Sequence, residues 1–125
     1  MMYDGKTVDD ALAAWDAGDI IFTVEMGGLG PGYEQAIQVL VMELLRDMRG
    51  KPLPTTNDEA WKWGDPVVNR LDALHGFSGA QVGAAKSLAI RMLRDGYAQT
   101  LDSAKSHDPA RLIQVSGKFP SLATP

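Results

Sequence analysis

The stretch "EMGGLGPGYEQ", residues 25–35, sets Gly27, Gly28, Gly30 and Gly32 within six positions and a carboxylate on either side, Glu25 and Glu34. Closely spaced glycines let a backbone approach a ligand, and the first chemistry to test is a phosphate cradle. A dinucleotide fingerprint needs glycine at its first, third and sixth positions, and counting from Gly28 the sixth is Tyr33. A Walker loop needs Gly-Lys-Ser/Thr, whereas Gly32 is followed by Tyr33 and Glu34. Pro31 removes one donor N–H, and Glu34 puts negative charge in the turn where an anion would sit. The stretch therefore reads first as a helix entry, with Gly30 as N-cap, Pro31 as first helical residue and Glu34 complementing the helix dipole. Its chemical alternative is a small-molecule or peptide site in which Gly28 and Gly30 bring backbone close to a ligand and Glu25 and Tyr33 supply hydrogen bonds. Glu25 and Glu34 do not form an acid/base pair by spacing, because nothing in the sequence fixes their separation.

A second grouping is "WKW". Trp61 and Trp63 offer ring faces to a base, a sugar or a cation. On a helix, residues two apart point about 200° apart, which buries one ring and exposes the other; on an extended segment both share a face. His75 follows Asp72 by three residues, in a helix's last turn, where a histidine has a plain role against the terminal carbonyls. "SHD", Ser106 to Asp108, is contiguous, and adjacent side chains cannot align as nucleophile, base and orienter. The chain contains no cysteine, which excludes disulfides, thiolate catalysis and Cys-containing metal sites. No third ligand accompanies the histidines, so neither metal nor cofactor is expected, and no catalytic residue is nominated.

Charge bounds the partners. Up to residue 60 there are eleven acidic and four basic residues, a net −7; from Trp61 onward five acidic and eight basic residues give +3. The first half repels nucleic acid and the second lacks a dense Lys/Arg run, which disfavours nucleic acid as the main partner. The two halves are expected to pack together with partly complementary charge. The beginning, "MMYDGKTVDD", has no basic region leading into an apolar stretch, and the aliphatic run Val39 to Met42 is far too short to span a bilayer. A cytoplasmic protein with no membrane contact is the expectation.

The elements that must position these groups follow from periodicity. With 125 residues and 45% hydrophobic composition, the chain is expected to form a single domain over residues 1–125. Thr7 caps a helix whose Val8, Ala11, Leu12 and Trp15 share a face. "DIIFTVE", residues 19–25, reads as a strand or extended core segment. The longest helix, about residues 33–49, is apolar nearly all round, leaving a wet strip of Gln35, Gln38, Arg46 and Arg49. "KPLPTTN", residues 51–57, is an internal linker held open by two prolines. A short helix follows, with Thr56 and Glu59 in capping-box spacing. Asp65-Pro66 starts the next helix, the aspartate as cap. Ser78 and Gln81 form a capping box for a last long helix to Asp95, with Phe77 and Val82 as hydrophobic staple, an apolar face and Lys86, Arg91 and Arg94 outward. Gly18, Gly50, Gly64, Gly76 and Gly96 mark helix ends. A further helical segment follows Gly96. Asp108-Pro109 favours a short helix over "ARLIQVSGKFP", although "LIQV", residues 112–115, can instead pair with residues 19–25. Residues 121–125 read as a frayed tail.

The fold class expected is therefore mainly α: a compact multi-helix bundle around a central helix, with at most one short strand pair. The function expected is non-enzymatic binding, to a protein partner or to a second copy of the chain. The alternative is a small-molecule binder or enzyme with its pocket at the Gly27–Gly32 loop, drawing on Glu25, Gly28, Gly30, Tyr33, Trp61 and Trp63.

Overall fold

A computed structural model describes residues 7–19, 22–25, 31–100 and 111–113. Its element order is α1 (Val8–Asp16), β1 (Thr23–Glu25), α2 (Pro31–Met48), α3 (Asn57–Lys62), α4 (Asp65–His75), α5 (Gly79–Asp95) and β2 (Arg111–Ile113). The result is a compact, mostly helical bundle. Its centre is α2, which packs against α5 above all and also meets α1, α4 and β1.

The reason lies in the composition of α2. Ile37, Val39, Leu40, Val41, Met42, Leu44 and Leu45 are all buried. Each such side chain contributes roughly 1.5–3 kcal/mol when fully removed from water. Covering so many directions takes several partners at once. One residue expected on the wet strip is buried with them: Gln38 is fully enclosed, and its Nε2 donates to the Phe22 carbonyl at 2.6 Å. That bond answers a backbone acceptor just before β1. Phe22 is itself buried and tilts against Tyr97, with ring centroids 6.4 Å apart, tying the β1 region to the helical residues 97–100.

Local signals fix most of the boundaries. The Thr7 hydroxyl accepts from Asp10 N at 3.0 Å, and the Val8, Ala11, Leu12, Trp15 face packs on the core. Arg46 and Arg49 then clamp α1 to α2 through Asp16 and Asp9. The Arg46 hydrogen bond holds the Asp16 carboxyl below its ordinary range. At α5, Ser78 and Gln81 close the capping box in both directions, 3.2 and 2.8 Å, and Phe77 and Val82 are half-buried against the core.

At α3 the Thr56 hydroxyl accepts from Glu59 N at 3.1 Å, but Glu59 Oε2 reaches past it to the Thr55 N–H and hydroxyl, 2.9 and 3.1 Å. The Thr55 N–H, then its hydroxyl, hold the Glu59 carboxyl below its ordinary value near 4.5. A carboxylate depressed on folding stabilises above its unfolded pKa, and that contribution is lost as pH falls through the lower folded value. Thermal melts of Glu59→Ala should therefore show a deficit against the unsubstituted protein at neutral pH that closes in acid; a deficit independent of pH would assign the loss to packing instead.

Two boundaries differ from expectation. Gly64, not Asp65, is the N-cap of α4; it adopts the left-handed region at φ 78°, so Asp65 and Pro66 fall inside the first turn. A side-chain cap is replaced by a backbone reversal, and the aspartate becomes available for other use. The helix favoured by Asp108-Pro109 gives way at 111–113 to β2, which pairs antiparallel with β1 in the register Thr23↔Ile113, Val24↔Leu112 and Glu25↔Arg111. The alternative pairing is thus the one observed, over 23–25 and 111–113 among the described residues. A contact between segments far apart in the chain overrides a local start signal. Residues 51–56 form neither helix nor strand. The frayed-tail reading of 121–125 lies outside the described residues.

Candidate functional site

The two tryptophans part company where α3 ends, Trp61 in its last turn and Trp63 just past it with extended backbone. Trp63, 7% exposed, joins the core at the end of α3, and its Nε1 has no hydrogen-bond partner among the described residues. Trp61 is 63% exposed, the one large hydrophobic side chain so placed among the described residues. A two-ring stacking platform is thereby unavailable.

What fixes Trp61 is a residue expected on the outer face of α5. Lys86 is only 4% exposed. Its position borders the apolar stripe Ala85, Leu88, Ala89 and Met92, so its methylene stem runs along buried surface while the ammonium seeks polar partners at the α3–α4 junction. There Nζ donates to the Trp61 carbonyl and to Asp65 Oδ1, the latter at 2.7 Å, and lies 5.5 Å from the centre of the Trp61 ring. One ammonium satisfies a carbonyl in the last turn of α3, pairs the aspartate released from capping α4, and sits beneath an indole face. Asp65 is half-exposed, so the pair is buried at one end only and its cost of desolvation is partial.

Substituting Lys86 by methionine tests this account, because it keeps the stem and deletes the charge. The Asp65 carboxylate left behind stays hydrated and favours the α4 N-terminus, so stability should fall by no more than about 1–2 kcal/mol, the Trp61 carbonyl losing its partner. Backbone exchange at residues 60–64 should accelerate more than in α2. Equal acceleration throughout would mean that Lys86 holds the whole bundle, not this junction.

Beside Trp61 an open cleft of about 440 Å³ runs between α3 and α5. Asn57, Ala60 and Trp61 form one wall; Gly83, Ser87 and Ile90 form the floor; Lys86, Arg91 and Arg94 are its charged residues. A methyl group added at Gly83 would meet nothing within 4 Å, so the floor is open at that point. Arg94 pairs with Asp95 through two contacts of 2.9 Å.

Tyr33, in the first turn of α2, meets α5 elsewhere. Its hydroxyl is 3.4 Å from Ser78 Oγ, and its carbonyl accepts from Gln81 Nε2 at 3.2 Å. The single Gln81 amide thus closes the α5 cap with one atom and ties down the first turn of α2 with the other. Gln81 belongs to the buried face of α5, with Ala85, Leu88 and Met92, while Gly83, Ser87 and Arg94 line the cleft. Successive residues turn by about 100°, so Tyr33 and Trp61 meet opposite sides of the helix. Glu25 is in β1, opposite Arg111 in the register. Gly27, Gly28 and Gly30 lie outside the described residues; Pro31 does begin α2. "SHD" also lies outside them.

Among the described residues no group of three His, Cys, Asp or Glu is placed to hold a metal ion, and no helix is long and apolar enough to cross a membrane. Comparison with known protein families, with curated proteins and with solved structures finds no match.

Neither Lys86 nor the cleft was nominated from sequence. Arg91 and Arg94 were placed on the outer face of their helix and Trp61 was singled out, but their convergence depends on how α3 lies against α5. The available signal is indirect: a lysine bordering an apolar helical stripe, and a Trp-Lys-Trp whose rings split between core and surface if the segment is helical.

Proposed function

We propose that this chain is a non-enzymatic binding domain that engages a protein partner through the outer face of α3 and α5. Trp61 carries this reading. A scattered exposed aliphatic residue means little, but Trp61 is 63% exposed while its own carbonyl and ring are both engaged by Lys86. Holding a large ring in water without freedom to fold away pre-organises it as a contact. Tryptophan and arginine are the residue types that dominate interface energetics, and both line this cleft. Among the described residues the lining contains no carboxylate or imidazole, the usual proton acceptors of general-base chemistry.

The test is capture from lysate on immobilised wild-type chain, on Trp61→Ala, and on Asp47→Ala as a control at another exposed position. A partner retained by wild type and the control and lost at least about tenfold on Trp61→Ala supports the assignment, since ring truncation at an interface centre removes 2 kcal/mol or more. Light scattering over a dilution series asks whether the partner is a second copy. Equal capture on all three, or a monomer that retains nothing, would overturn the proposal.

A further inference from the structure

We infer that α3 is a releasable strap: it leaves α5 and melts while α2, α4 and α5 stay folded, and the Lys86 bond to the Trp61 carbonyl is the latch that holds it closed.

The packing makes release local. The strap hangs between two apolar anchors, Leu53, which packs against the core, and Trp63, which is buried in it. Between them α3 buries none of its six residues, so its departure returns little apolar surface to water. It packs chiefly on α5, and even there an open cleft of about 440 Å³ lies between the two helices. Its cap is made within the strap by Thr55, Thr56 and Glu59, all of them exposed, and water replaces those bonds when the helix opens. A helix of six residues does not persist alone in water, so leaving α5 and melting are one event.

Lys86 sets what release costs. A buried ammonium stripped of its partners would hold the strap down firmly, but this one has partners on two elements: the Trp61 carbonyl on α3, and Asp65 Oδ1 on α4 at 2.7 Å. When α3 leaves, the carbonyl bond and the ring contact are lost and the Asp65 pair remains. Asp65 does not follow the strap. Gly64, the N-cap of α4, is seated against Leu44 of the central helix so closely that an added methyl group would overlap Leu44 Cδ2. The latch is therefore one hydrogen bond to a neutral acceptor and one ring contact, and opening it strands no charge.

Release carries Trp61 and one wall of the cleft away together. The proposed binding face therefore exists only in the latched state, and a partner that binds it draws the latch shut by its differential affinity for that state. This consequence rests on the binding reading; the release itself does not and is measured on the free chain.

The test is residue-resolved hydrogen exchange under native conditions, followed by NMR across a series of sub-denaturing urea concentrations. After correction for intrinsic rates, the amides of residues 60–62 should exchange at least about a hundredfold faster than those of residues 40–45 in α2, with almost no urea dependence, because little surface is uncovered. Lys86→Met should raise the α3 rate about tenfold. Asp65→Asn should do the opposite. With its anionic partner gone the ammonium leans harder on the Trp61 carbonyl, so α3 exchange slows a few-fold even as the protein as a whole loses stability. A helix that merely frays at the surface would not respond in that direction to a side chain on α4. Circular dichroism melts establish that each variant is folded. Exchange at 60–62 that matches α2 in rate and urea dependence would overturn the inference, since α3 would then leave only with global unfolding. An Asp65→Asn effect that is absent, or that runs in the direction of Lys86→Met, would overturn the latch. Lysate capture independent of Trp61 removes the binding reading and leaves these exchange results standing.

Discussion

Gly64→Ala should be among the most destabilising single-methyl additions in the molecule, lowering stability by about 2–4 kcal/mol. Two independent costs meet there. Gly64 has φ 78°, in the left-handed region, where a Cβ clashes with backbone at about 1–2 kcal/mol. The added methyl would also overlap Leu44 Cδ2. Leu44 is fully buried in the central helix, so it cannot swing aside into water, and overpacking of this kind costs about 1–3 kcal/mol. The two terms separate experimentally. Gly50 has nearly the same backbone, φ 79°, with nothing within 4 Å of a would-be Cβ, so Gly50→Ala reports the backbone cost alone. Pairing Gly64→Ala with Leu44→Ala makes the room that the methyl needs, and the double variant should be more stable than the sum of the single losses implies, by 1 kcal/mol or so of coupling. Urea denaturation of these four variants and of the unsubstituted protein measures this. Equal losses at Gly64 and Gly50 would show that Leu44 yields, and that the close approach of α4's start to α2 is not a constraint on the fold.

That Gly64 rather than Asp65 caps α4 also marks where sequence reasoning succeeds and stops. Boundaries governed by residues three or four apart were legible: Thr7 with Asp10, Thr56 with Glu59, Ser78 with Gln81, and the glycines at positions 18, 50, 64, 76 and 96, all of which take positive φ. The apolar girth of α2 was legible too, and with it a helical bundle around that element. The misreadings share one cause. Gln38 and Lys86 were assigned to water by residue type, yet each is buried because of a partner distant in sequence: Phe22 O for one, Trp61 O and Asp65 for the other. A helical wheel records which direction a side chain points and nothing of what the other helices bring there. The same limit hid β2, since pairing of 111–113 with 23–25 competes with a local Asp-Pro helix signal and only the tertiary contact decides. A third of the candidate site's lining was therefore visible as residues, Trp61 with Arg91 and Arg94, and none of it as a place.

Gln38 gives the second large effect, and its pH dependence distinguishes a hydrogen bond from mere bulk. Gln38→Met keeps the length of the side chain and deletes the donor to the Phe22 carbonyl; the loss should be about 1–3 kcal/mol. Gln38→Glu preserves shape almost atom for atom. At neutral pH it places a carboxylate in a position with no solvent exposure, against a carbonyl oxygen that also carries negative charge, and burial raises the pKa of such a group by up to about 3–5 units. Protonated, the same carboxyl has an O–H that can donate to Phe22 O as the amide does. A carboxyl whose folded pKa lies above its unfolded value near 4.3 costs least stability below that unfolded value, and the cost grows as pH rises, at about 1.4 kcal/mol per unit, until the folded pKa is passed. Gln38→Glu should thus be about 3 kcal/mol or more less stable than wild type at neutral pH and approach it near pH 4. Gln38→Met should show the same loss at both. Parallel denaturation curves at the two pH values read the difference directly. A Gln38→Glu deficit that does not shrink in acid would mean that the carbonyl before β1 finds its partner elsewhere, and that α2 holds the strand through packing alone.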